Sequence, residues 1–185
     1  MFAKVENNQV VAANSSKDFF KGSTGIYEVI YDTTNLKDTE FYYNGAETFT
    51  FANDQVTASY APATAKALEN VNAVDINGQP ILDKDGKQVV NKGLKSIHVA
   101  RIKSQAAGLL QSTDWYVIRN AESQAVIPTN ISTYRAAVRA KSNDMEALIN
   151  AVSSVEQLAA LYAYVNTGTE QSPVFARPIG EFPKL

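Results

Sequence analysis

The residues best equipped for chemistry in this chain are few and scattered. There is one histidine, His98, and no cysteine. A single His with no second His three or four residues away is a poor metal ligand, and without Cys there is no thiolate nucleophile, disulfide framework or Cys-based metal site. Asp83-Lys84-Asp85-Gly86 resembles the opening of a calcium loop, but the later carboxylates and the closing Glu are missing, so it reads as a reverse turn. No glycine-rich phosphate loop occurs. None of the serines sits in a strand–turn–helix nucleophile setting, and no spacing positions two carboxylates for acid–base work. No catalytic residue, metal ligand or cofactor is assigned. A small hydrolase with its site hidden in the sheet is the enzyme alternative, and no residue pattern supports it.

Composition narrows the classes. The chain has 185 residues, 45% of them apolar and 19% charged, an ordinary globular balance with enough length for a real core. The formal charge of −2 comes without a long run of either sign. That argues against electrostatic binding to nucleic acid or to an anionic membrane surface. No apolar run reaches the ~18 residues of a membrane span. The first residues have neither a basic nor an apolar leader region, so no signal peptide is expected.

The more informative polar residues lie in two short strings. One is Leu109-Leu110-Gln111-Ser112-Thr113-Asp114-Trp115-Tyr116, which contains the only Trp; the other is Tyr134-Arg135-Ala136-Ala137-Val138-Arg139. Arg135 and Arg139 are four apart, on one helix face. Both can reach Asp114 or the carbonyls ending a preceding helix, with Tyr134 turned inward near Trp115. Trp115 itself is expected to cover the end of the core. The strings thus predict a clasp between two helices.

The elements that must position them are set by periodicity. Val99, Ile102, Ala106, Leu109 and Leu110 form a core-facing helical stripe from Leu94 onward, and Ser96, Ala100, Ser104, Ala107 and Gly108 give it a small outer side. Asn120 to Gln124 reads as a polar loop, and Pro128 leads into a second helix with Ile131, Tyr134, Val138, Met145, Leu148, Ile149 and Val152 inward. Ser153…Glu156 and Ser154…Gln157 have capping-box spacing, starting a short third helix that Asn166-Thr167-Gly168 stops. The Pro-rich tail 169–185, with Phe175, Ile179, Phe182 and Leu185, predicts an extended arm, laid on its own domain or docked on a partner.

The N-terminal part reads as short strands around Asn-rich turns. Phe2–Val5 and Gln9–Val11 flank Glu6-Asn7-Asn8; Gly25–Tyr31 is a strand; Asn44-Gly45 signals a hairpin between Phe41–Tyr43 and Thr48–Phe51; Asn53-Asp54-Gln55 turns into Val56–Tyr60. Ala63 to Val71 reads as loop or two helical turns, and the apolar pairs from Val74 to Val90, separated by Asn77-Gly78 and Asp85-Gly86, as a β-meander with repeated turn chemistry. The whole predicts an α+β chain: a small antiparallel β part at 1–92, a helical hairpin with a short third helix at 93–168, and the arm at 169–185.

Arg101, Leu109-Leu110, Thr113-Asp114-Trp115, Arg119, Ile127-Pro128 and Tyr134-Arg135-x-x-Val138-Arg139 together resemble the helical segment of bacteriophage tail assembly chaperones and tail-fibre-assembly-like proteins, over about residues 94–145. Val138 stands where that family has Leu. The resemblance implies a non-enzymatic phage tail protein without a cofactor, whose partners are tail, tail-fibre or baseplate proteins. Its location would be the virion tail, or the host cytoplasm during assembly, and self-association is compatible with it. A structural component retained in the baseplate or at the fibre attachment is the alternative role. Tyr27, Tyr31, Tyr42 and Tyr43 would suit a protein-binding face, the alternative being that half of them pack the sheet.

Overall fold

The computed structural model of the protein describes all 185 residues. The chain is α+β and forms two compact units, Met1–Lys66 and Ala67–Leu185. The change of period near residue 92 therefore falls inside the second unit.

The first unit holds β1 (Phe2–Glu6), β2 (Gln9–Asn14), β3 (Ile26–Tyr31), β4 (Tyr42–Tyr43), β5 (Glu47–Ala52), β6 (Gln55–Tyr60) and β7 (Thr64–Ala65). Five of them form one sheet in the order β2-β1-β3-β6-β5. Its end strands β2 and β5 approach each other, so the sheet curls toward a barrel. Two hairpins anchor it. Asn7 and Asn8 take positive φ between β1 and β2, and Asn53 and Asp54 do so between β5 and β6, the conformation a two-residue hairpin turn demands. The core is small: Ala3, Val29, Val56 and Ala58, lined by Val5, Val10, Tyr27, Phe49 and Phe51.

The structure corrects two expectations in this unit. The sheet is mixed, because β3 runs parallel to β6 with Val29 opposite Val56. The Asn44-Gly45 hairpin does not form. β4 pairs with β7 instead, Tyr42 opposite Ala65. Gly45 is needed for close approach rather than for a turn: a Cβ there would lie 2.3 Å from the Ala61 carbonyl oxygen. The Asn44 side chain is occupied with the Lys37 backbone, accepting from its N–H at 2.9 Å and donating to its carbonyl at 3.0 Å.

The second unit opens with β8 (Val71–Asn72) and β9 (Val90–Asn91) and continues into α1 (Leu94–Gln111), α2 (Asp114–Ser123), α3 (Thr129–Ala151) and α4 (Val155–Tyr162). A final hairpin joins β10 (Val165–Asn166) to β11 (Phe175–Ala176). No helix is long and apolar enough to cross a membrane.

The segment 67–93 does not form helical turns. Its carbonyls are committed elsewhere, Ala67 and Leu68 accepting from the N–H groups of Leu94 and Lys95 in the first turn of α1. Residues 73–89 instead make a closed ring of three short backbone legs. Ile81 N–H donates to Ala73, Val89 N–H to Ile81, and Ala73 N–H to Val89, all at 2.8–3.0 Å. The flanking pairs are Val74 with Pro80, Leu82 with Gln88, and Asn72 with Val90. Every position recurs at a spacing of eight residues, so the ring has pseudo-threefold symmetry. Two corners are the turns at Asp75 and Asp83. In each, the aspartate Oδ1 accepts two backbone N–H bonds at 2.8–2.9 Å, and Gly78 or Gly86 adopts positive φ. The third corner is the chain's entry and exit, closed by Gly93 N–H donating to Asn70 Oδ1 at 2.9 Å. The Gln88 amide lies at the centre, within 2.8, 3.2 and 2.8 Å of the Ala73, Ile81 and Val89 carbonyl oxygens.

In the helices, α1 buries Leu94, His98, Ile102 and Ala106, and α3 buries Ile131, Tyr134, Val138, Ser142, Met145 and Ile149. Val99 is only half-buried and His98, expected at the stripe's edge, is wholly inside. The expected polar loop 120–124 is the end of α2, an additional helix that Gln124 stops at φ +56. Ser154 caps α4, its Oγ accepting from Gln157 N–H, while the Gln157 side chain reaches back to Ser153 N–H at 2.7 Å. That helix ends at Tyr162, four residues before the predicted stop, and Val165 lies exposed in β10.

Candidate functional site

The two charged and aromatic strings meet where α1 ends. Thr113 breaks the helix, and its side chain, 1% exposed, donates back to the Leu110 carbonyl at 2.9 Å. From α3, Arg135 reaches the same point. Its Nη1 donates to Leu110 O at 2.8 Å and to Thr113 Oγ1 at 2.7 Å, and stands 2.9 Å from Asp114 Oδ1. The helix C-terminus carries partial negative charge on its unpaired carbonyls, so a cation is favoured there, and the adjoining carboxylate adds to that. Beneath it, Tyr134 and Val138 pack with Ala106, Leu109 and Leu110. The predicted clasp is thus present, made by Arg135 alone. Arg139 lies exposed and takes no part. Arg101 sits on α1 about two and a half turns earlier, and Pro128 immediately precedes α3.

Trp115 does not cover the core. It is 50% exposed, its ring 3.9 Å from that of Tyr116, with the Arg119 guanidinium 4.6 Å above it. These side chains belong to α2, which begins directly after Thr113. No residue of α2 is buried, although it holds Trp115, Val117 and Ile118.

The C-terminal arm is folded onto its own helices. Ile179 is buried, its N–H donating to the Leu161 carbonyl at 3.0 Å, and Phe182 packs against the Tyr134 cluster. These two are therefore not available to a partner. Arg177 pairs with Glu181 across the turn at Gly180, which holds its guanidinium above its ordinary range. Only Phe175 and Leu185 of the proposed docking residues remain exposed. Phe175 sits in the final hairpin beside exposed Tyr164, Val165 and Val174, an apolar surface that sequence spacing did not signal.

His98 is enclosed, its ring centroid 4.8 Å from that of Tyr162, and acts in the packing of α1 against α4. No group of three His, Asp or Glu residues converges to hold a metal ion. Among the aromatic residues of the first unit, Tyr43 is exposed with Lys66 5.2 Å above its ring. Tyr27 donates to Asp54 at 2.9 Å and Tyr60 to Glu47 at 2.7 Å, and each phenol is held above its ordinary value, first by that hydrogen bond to a carboxylate.

Compared with known proteins, the chain matches no family model, no curated protein sequence and no solved structure.

Proposed function

We propose that this chain works by binding other proteins, as a non-enzymatic assembly factor for a bacteriophage tail or tail fibre. The observation that carries the protein-binding part is α2, whose Trp115, Val117 and Ile118 all face solvent. Large apolar side chains gathered on one exposed element mark interaction surfaces. The tail assignment rests on the string from Leu109 to Arg139, in which Arg135 ties Asp114 and the end of α1 together. That clasp fixes where α2 departs, so the motif residues build the platform and the intervening helix presents the contact.

A second reading, a component retained in the mature tail, is favoured by the exposed final hairpin with Tyr164 and Phe175. The two are separated by quantitative mass spectrometry of purified particles and of infected cells carrying a tagged copy. Presence in the cell in complex with a tail or fibre polypeptide, with absence from particles, supports the assembly factor. Fixed stoichiometry in particles supports the retained component. Association with no tail protein in either sample overturns both.

A further inference from the structure

The dipeptide Asn-Gly stands at two places in the chain and meets opposite surroundings. At Asn44-Gly45 the asparagine side chain is held twice by the Lys37 backbone, at 2.9 and 3.0 Å, and Gly45 is pressed against the Ala61 carbonyl. At Asn77-Gly78, in the first corner of the ring, the asparagine is exposed and its side chain makes no hydrogen bond. No atom lies within 4 Å of where a Gly78 Cβ would be, so the approach to its nitrogen is open. One exposed bond, from Gly78 N–H to the Asp75 carbonyl at 3.0 Å, holds that nitrogen.

We propose that Asn77 is a site of spontaneous covalent modification, converting to aspartate and isoaspartate, and that the conversion opens this corner of the ring. The Gly78 amide nitrogen loses its proton to solvent base and bonds to Asn77 Cγ. The Cγ–Nδ2 bond breaks, and Nδ2 leaves as ammonia with a proton from water, giving a five-membered imide. Water then opens the imide. Cleavage of the bond between Cγ and the Gly78 nitrogen leaves aspartate. Cleavage of the bond between the main-chain carbonyl carbon and that nitrogen leaves isoaspartate, with the chain routed through Cβ and Cγ. Glycine suits the second position because it has no side chain to crowd the attacking nitrogen. Asp75 Oδ1 accepts from the N–H groups of both Asn77 and Gln79 at 2.8 Å. A main chain one atom longer between those amides no longer presents both to one oxygen, and the new carboxylate repels Asp75. Asp85-Gly86 occupies the matching corner, but an ionised carboxylate has a poorer leaving group than an amide, so it reacts more slowly. The modification is independent of the partner proposed above.

The test holds the full chain folded at mildly alkaline pH, beside a second sample unfolded in urea. Peptide mapping by mass spectrometry follows amide loss at both positions, and enzymatic methylation of isoaspartate identifies that product. In the folded chain Asn77 converts at least about tenfold faster than Asn44, because two side-chain bonds must first open at Asn44. In urea the two rates converge. Asn77→Gln, which would need a six-membered imide, stays unmodified. The converted fraction, one unit more negative, is separated by ion exchange. In its isoaspartate form, hydrogen exchange at the Gln79 amide is at least about tenfold faster than before, while the Lys87 amide, its counterpart at Asp83, is unchanged. An Asn77 that keeps its amide in the folded chain while converting in urea overturns the site. So do equal rates at Asn44 and Asn77 in the folded chain, or a difference of the same size in urea, since either removes the fold as the cause. An isoaspartate form in which Gln79 stays as protected as before overturns the opening of the corner.

Discussion

The ring at 73–89 and the clasp at the end of α1 solve one problem with different side chains. Each gathers several oxygen acceptors of a tight backbone turn onto one donor group. In the ring, the Ala73, Ile81 and Val89 carbonyls each already accept a backbone N–H, and their second lone pairs converge on the Gln88 amide. All these acceptors are neutral, and a neutral donor suffices. In the clasp, the acceptors are a helix C-terminal carbonyl, a hydroxyl and the Asp114 carboxylate. Their summed negative potential calls for a cation, and one guanidinium nitrogen, Nη1, stands against all three. The donor type thus follows from the charge of what it must collect.

The sharpest way to break that comparison is at the cation. Arg135→Ala should cost about 2–3 kcal/mol, because the charge-assisted bonds of a largely buried guanidinium are lost, even though the Leu110 carbonyl keeps its donors from Thr113. Arg135→Lys, which keeps the charge and offers three donors on one nitrogen, should recover part of it. Thermal or urea unfolding reads both. The double variant with Asp114→Ala should lose less than the sum of the single losses, as expected of groups in direct contact, and strict additivity would show that the carboxylate does not share in the clasp. At the ring, Gln88→Ala should cost less, about 1–2 kcal/mol, since each carbonyl keeps its backbone partner. Hydrogen exchange at the Ala73, Ile81 and Val89 amides should accelerate while the helical amides stay protected. An equal loss at both hubs would contradict the charge argument.

The smallest effect concerns a turn in the first unit. Asp32 accepts from the Thr34 hydroxyl at 2.6 Å and from its N–H at 3.0 Å, which holds the carboxyl below its ordinary value. A depressed folded-state value stabilises above the unfolded value, about 3.9, and that contribution is lost as pH falls through the folded one. Asp32→Ala should therefore lower the melting temperature slightly at pH 7, with the difference vanishing in acid. A difference that persists once the carboxyl is protonated in both states would assign the effect to the turn backbone and not to the charge.

Several of these features are legible from residue type and spacing. The Asn7-Asn8 and Asn53-Asp54 hairpins form because those residues tolerate positive φ, which is a local property. The α3 stripe appears almost residue for residue because a 3.6-residue period fixes which side chains share a face. The partnership of Arg135 with Asp114 follows from opposite charge beside a helix end. What tertiary structure alone decided depends on which groups were already taken. Tyr42-Tyr43 left the Asn44-Gly45 hairpin because β7 pairs with it. The turns at Asp75 and Asp83 echo each other in sequence, but the ring closes only because Asn70, at the far end of the segment, supplies its third corner. The tail's Pro and Phe residues dictate an extended path, yet the cluster around Tyr134 determined that Phe182 would end inside its own unit. Trp115 faces out for the same reason. Position after a helix end is a local fact, whereas inward or outward is settled by what else competes for the core.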